Sequence, residues 1–73
     1  MEISHLQYIF DCRPEDAVCE RFENLGFEHG HAGELYVFIG AVLPRNAYNA
    51  RRYVDSLRKK FPDNNIAENH LCG

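Results

Sequence analysis

A chain of 73 residues that is 45% hydrophobic and 12% aromatic has room for one domain and is too apolar for intrinsic disorder. At this length folding buries only about 60% of the unfolded surface, so a dimer or a partner would help stability, and the formal net charge of −3 hides an uneven division between the two halves. Cys12, Cys19 and Cys72 are an odd number and residues 1–5 carry neither a basic flank nor a long apolar run, so reduced thiols, a cytoplasmic location and no membrane span are expected.

Along the chain, the first expected element is a strand within residues 3–12, where Leu6, Tyr8 and Phe10 alternate with His5, Gln7, Ile9 and Asp11. Pro14 suits the first position of a helix whose Val18, Phe22 and Leu25 recur at i, i+4 and i+7. Gly26 is then the expected C′ residue. Residues 27–31 form a short second strand, with the Gly30-His31-Ala32-Gly33 stretch supplying a hairpin turn. The third strand, residues 35–39, is apolar at every position and reads as central. Pro44-Arg45-Asn46 ends it, and Asn46 is the expected N-cap of a second helix with Ala50, Val54, Leu57 and Phe61 as its stripe. Lys59 and Lys60 suit that helix's negative pole, Pro62 stops it, and residues 65–72 are the last candidate strand.

The order is β-α-β-β-α-β. It predicts an α+β, ferredoxin-like domain over residues 1–73, with a four-stranded antiparallel sheet ordered 4-1-3-2 and both helices on one face. If Leu35, Val37 and Ile39 face the helices beside Leu6, Tyr8 and Phe10, the uncovered face displays Tyr36, Phe38, Ile9, Gln7, His5 and Asp11.

The two halves differ in charge. Residues 1–34 hold eight acids and two bases, and residues 35–73 hold three acids and six bases. Glu15, Asp16, Glu20 and Glu23 load the first helix, while Arg45, Arg51, Arg52, Arg58, Lys59 and Lys60 load the second and its entry. Such runs are usually solvated faces, and opposed patches can also steer a charged partner.

Tyr36 and Phe38 have the i, i+2 spacing with which RNA-recognition sheets stack bases. The basic and glycine positions of that motif are missing, so a dimerisation or docking surface is the better reading. Two trios, Cys12 with His29 and His31, and His5 with His70 and Cys72, approach opposite ends of the sheet but match no zinc spacing. Ser4 and Ser56 lie in no nucleophile elbow. Asp11, at the carboxyl end of the first strand, either caps the turn that follows or offers a carboxylate to Mg²⁺.

Tyr8-Ile9-Phe10-Asp11, Leu25-Gly26-Phe27, Gly33-Glu34-Leu35-Tyr36 and Lys60-Phe61-Pro62 resemble the virulence-associated protein D ribonucleases and the related small CRISPR spacer-acquisition proteins. The resemblance implies a ferredoxin-like, dimeric, metal-dependent nuclease with Asp11 as the catalytic metal ligand. It departs from the family in the short stretch between Asp11 and Gly26 and in Glu34, where a small polar residue is usual.

The residues themselves lack a complete catalytic set. They favour a small non-catalytic interaction domain that needs no cofactor and docks on a protein partner to modulate or inhibit it, as a phage-type inhibitor of a bacterial defence complex would. In this reading the partner-binding residues are Tyr36, Phe38, Ile9, Glu15, Glu20, Arg51 and Arg52. A homodimer, a nucleic-acid-handling partner, direct RNA binding and a Mg²⁺-dependent ribonuclease using Asp11 are the alternatives.

Overall fold

The computed structural model describes residues 4–11 and 14–71. The elements are β1 (Ser4–Phe10), α1 (Asp16–Asn24), β2 (Glu28–Ala32), β3 (Leu35–Val42), α2 (Pro44–Lys60) and β4 (Ala67–Leu71). They form an α+β domain whose four-stranded sheet runs β2-β3-β1-β4, the predicted order read from the other edge, with every neighbouring pair antiparallel. This is consistent with the ferredoxin-like arrangement. Ile3, Cys12 and Cys72, placed by the sequence in strands 1 and 4, lie outside the described residues.

The helices start later or earlier than expected, for local reasons. Glu15 is extended (φ −68°, ψ 155°), so α1 begins at Asp16 and Pro14 precedes the cap instead of opening the helix. Leu43, also extended, is the N-cap of α2 and Pro44 its first residue; Asn46 sits inside the first turn. Proline pushes the residue before it out of the helical region, and its missing N–H is one the helix could not have bonded anyway. Ala47 N–H donates to Leu43 O at 2.9 Å as the first helical bond.

At the other end of α1 the sequence reading holds. Gly26 is left-handed (φ 93°), its N–H donates to Glu23 O at 3.0 Å, and Phe27 N–H donates to Phe22 O at 3.0 Å. Those two bonds are a Schellman closure, and its usual apolar contact is the Phe22–Phe27 edge-to-face pair, 5.4 Å between centroids. The loop then lies against β3 at Gly40, where a Cβ would stand 2.6 Å from Gly26 O and 3.0 Å from Phe27 Cα. Only a bare backbone lets the loop pass.

The β2–β3 hairpin turns one step later than predicted. Ala32 pairs with Leu35, which leaves Gly33 and Glu34 as a two-residue turn. Gly33 takes a positive φ of 68° and Glu34 does not, the pattern of a type II′ turn.

Register decides which side of β3 is covered, and here the sequence expectation fails. Tyr8 pairs with Phe38 and Phe10 with Tyr36, and directly opposed residues share a face. Phe38 is therefore fully buried and Tyr36 is 8% exposed, both under the helices with Leu6, Tyr8 and Phe10. Leu35, Val37 and Ile39 take the uncovered face. Burying two aromatic rings removes more apolar surface than burying valine and isoleucine, and a chain without tryptophan has few large side chains to build a core from.

Phe22 from α1 stacks on Phe38 at 4.2 Å and meets Phe10 edge-on at 6.0 Å. Tyr53 from α2 closes on Phe22 at 5.3 Å, and Ala50, Val54 and Leu57 complete the core from the predicted stripe. The connection into β4 is tied by Arg58, which donates to Ile66 O at 3.1 Å, and by Asn64 N–H, which donates to Phe61 O at 3.0 Å.

Candidate interaction surface

Alternation along β1 and β3 leaves Ile9, Val37, Ile39 and Leu35 on the face away from the helices. β4 adds Ala67 beside Ile9, and Leu71 beside His5. Ile39 and Leu71 are 41% and 40% exposed, while Ile9, Val37 and Leu35 are half-buried by one another. The polar members of this face are few: Gln7 accepts from the Asn69 amide at 2.9 Å, and Glu28 pairs with Ile39 across β2. Gln7, Ile9, Val37 and Ile39 line one shallow hollow together with Glu28, His29 and His31 of β2. An aliphatic patch across β3, β1 and β4, framed by His5, Gln7, Asn69 and the carboxylate of Glu28, can exclude water from a flat apolar surface. It has no nucleophile and no charge pair with which to do chemistry.

The seven residues singled out for partner binding do not come together. Ile9 is on the open face. Tyr36 and Phe38 are core residues and anchor nothing there. Glu20, Arg51 and Arg52 sit on the helices and Glu15 at the N-cap of α1, on the opposite side of the sheet, where Glu15 lies 3.7 Å from Lys60 Nζ. Val37 and Ile39, which the sequence reading placed inside, replace the two aromatics.

Arg51 belongs to a polar cluster between α2 and β4. Tyr8 donates to Glu68 Oε2 at 2.7 Å, Arg51 Nη2 is 2.9 Å from His70 Nε2, and that nitrogen is 3.1 Å from Glu68 Oε1. His70 Nε2 can accept from Arg51 or donate to Glu68, not both, so its tautomer sets which bond forms. Burial, with the Glu68 hydrogen bond and charge, pushes the Tyr8 phenol well above its ordinary range. Burial opposes ionisation of Glu68, yet the bonds from Tyr8 and His70 and the charge of Arg51 outweigh it and hold the carboxyl below its usual value. A tyrosine fixed as a donor and a carboxylate fixed as an acceptor make a structural clasp.

Asp11 is exposed at the end of β1 and accepts from Asn65 N–H at 3.1 Å, fastening the entry to β4; the turn into α1 that it was expected to cap runs through residues 12–13, outside the described residues. Among the described residues no group of three His, Cys, Asp or Glu is placed to hold a metal ion. His5 and His70 stand on opposite faces, because Leu71 opposes His5 and Leu6 opposes His70. His29 is 2.8 Å from Glu23, and His31 lies edge-on to Tyr36 at 4.4 Å. Cys19 is a free, half-buried thiol whose pKa is raised by burial and then by Asp16 and Glu23, which blunts it as a nucleophile. The Ser56 hydroxyl donates to Tyr53 O at 2.7 Å within α2. Among the described residues no helix is long and apolar enough to cross a membrane.

No family model, no curated protein and no solved structure matches this chain.

Proposed function

We propose that this chain is a small protein-interaction domain that docks on a macromolecular partner through the uncovered face of its sheet and thereby modulates or blocks that partner. The observation that carries the reading is the aliphatic row of Val37, Ile9 and Ala67 across β3, β1 and β4, with Ile39 next to Val37 and 41% exposed, and Leu71 set apart from it beyond Gln7 and Asn69. A contiguous apolar patch on one side of a small domain is a common mark of an interaction site. The ferredoxin-like sheet supplies a rigid backing for it, since the same strands are pinned from behind by the aromatic core.

A photo-crosslinking residue at position 39 tests the reading against one at position 48, on the exposed side of α2. The expected result is a discrete cross-linked product in source-cell lysate from position 39, absent from position 48 and suppressed by excess unlabelled chain. Light scattering on the purified protein separates a foreign partner from a second copy. Equal, unsuppressed labelling from both positions overturns the proposal.

A further inference from the structure

On the far side of the molecule from the sheet face, α1 and α2 leave a groove lined by Arg21, Leu25, Asn49, Arg52, Tyr53 and Ser56. None of these is an acid. Arg21 is a base on the otherwise acidic α1, and it leans across the groove so that its Cζ stands 5.6 Å from the Tyr53 ring centroid. Arg52 is set over Tyr48 in the same way, at 5.9 Å.

Among the described residues neither guanidinium has a carboxylate partner, although acids are plentiful nearby. Three of the neighbouring acids are engaged elsewhere: Asp55 with Arg58 at 3.2 Å, Glu23 with His29 at 2.8 Å and Glu15 with Lys60 at 3.7 Å. Two arginines held on aromatic rings line one groove, and among the described residues neither spends its charge on a carboxylate, so both are available to an anion. The Asn49 amide is a further donor, and burial raises the pKa of the Tyr53 phenol so that it keeps its proton at neutral pH.

We infer that the α1–α2 groove binds a compact oxyanion, a phosphoryl group, clamped between Arg21 and Arg52. Arginine's planar fork matches two oxygens of such a group at once. The size of the ligand follows from the charges around it. Asp16, Glu20 and Glu23 along α1 and the net charge of −3 repel an extended polyanion, whereas a single phosphoryl group meets only the two cations. This site is independent of the sheet face, so either can fail alone.

The test is an NMR titration of the ¹⁵N-labelled chain with inorganic phosphate and, separately, phenyl phosphate, at constant ionic strength balanced with chloride. Saturable shifts confined to Arg21, Asn49, Arg52, Tyr53 and Ser56 support the site. Arg21→Gln and Arg52→Gln should each weaken binding about tenfold or more, the loss expected for one charge-assisted contact. Both side chains are exposed, so both variants should keep a folded spectrum. Tighter binding of the ester identifies a phosphomonoester as the ligand, and equal affinity identifies free phosphate. Unsaturating shifts, shifts centred on Lys59 and Lys60, unchanged affinity in both variants, or displacement of phosphate by an oligonucleotide that perturbs all of α2 would each overturn it.

Discussion

β1 and β3 together present two faces of one sheet, and the two behave differently. On the helix side Tyr8, Phe10 and Phe38 are fully buried and held by ring contacts to Phe22; on the other side Ile9 and Val37 shield each other and Ile39 stays 41% exposed. One face is specified from above by two helices, and the other only by its own neighbours. Stability should therefore depend on the aromatic face and association on the aliphatic one, and substitutions can be chosen to break that division.

The largest effect is expected from Phe38→Ala. The ring touches Phe10 and Phe22 and has no exposed surface, so its removal leaves a cavity costing about 3–5 kcal/mol. Urea denaturation should show the midpoint collapse, and a loss below about 1 kcal/mol would mean that β3 presents its other side to the helices. Gly40→Ala is next. Its Cβ would meet backbone at 2.6 Å, which cannot swing aside as a side chain can, so the α1–β2 loop must shift at a cost of roughly 1–3 kcal/mol. Thermal unfolding reads this, with Gly30→Ala as the control because nothing lies within 4 Å of a Cβ there.

The distinction between the faces was only half legible in the residues. Alternation in β1 names Leu6, Tyr8 and Phe10 because polar residues and Ile9 separate them, and the structure agrees. β3 carries no such contrast: Leu35, Tyr36, Val37, Phe38 and Ile39 are apolar on both parities, and side-chain polarity cannot choose between them. Pairing with β1 chooses, and that pairing is non-local. The helix stripes, the Gly26 closure and the strand order were readable because each depends on a few adjacent residues or on the order of the elements. Pro44 as the first residue of α2 was equally readable from the proline rule, but Asn46 offered a competing cap. Gly40 carried a signal too, since glycine inside a strand marks a close backbone approach, although which segment approaches depends on the fold. The α2–β4 clasp could not be foreseen, because Tyr8 and Glu68 are 60 positions apart.

That clasp ties β1 and β4 to α2 through polar groups, and it makes the covered side pH-dependent. Glu68 has a lowered folded pKa, so it contributes stability above its unfolded value of about 4.3 and loses it as pH falls through the folded value. Tyr8 has a raised one, so its contribution is whole below about 10 and is lost as pH rises beyond. Tyr8→Phe should cost about 1 kcal/mol at neutral pH, with part of the bond's worth returned by water at the partly open Glu68, and should flatten the alkaline limb. Urea midpoints measured from acid to alkaline pH check both limbs, and an unchanged alkaline limb in the variant would assign that loss to other groups.

The smallest change in stability should come with the largest change in association. Ile39→Lys places a charge where a side chain is already 41% exposed, so the ammonium can remain in water while its stem covers the strand, and unfolding should move by no more than about 0.5 kcal/mol. At an interface the same ammonium would be desolvated among Val37, Ile9 and Gln7, with the Glu28 that opposes it in β2 as the one acid lining the hollow. Glu28 complicates the reading by offering a lysine partial neutralisation, so Ile39→Glu, which repels Glu28 and gains nothing, is the companion variant. With the photo-crosslinking residue moved to position 67, exposed on the same face beside Ile9, both should remove partner cross-linking and leave the urea midpoint in place. Loss of cross-linking by lysine alone would point to charge preference in the partner, and retention by both would return the aliphatic face to the status of ordinary exposed sheet. Retained stability with lost association in both variants would make the division between the two faces of β3 a functional one.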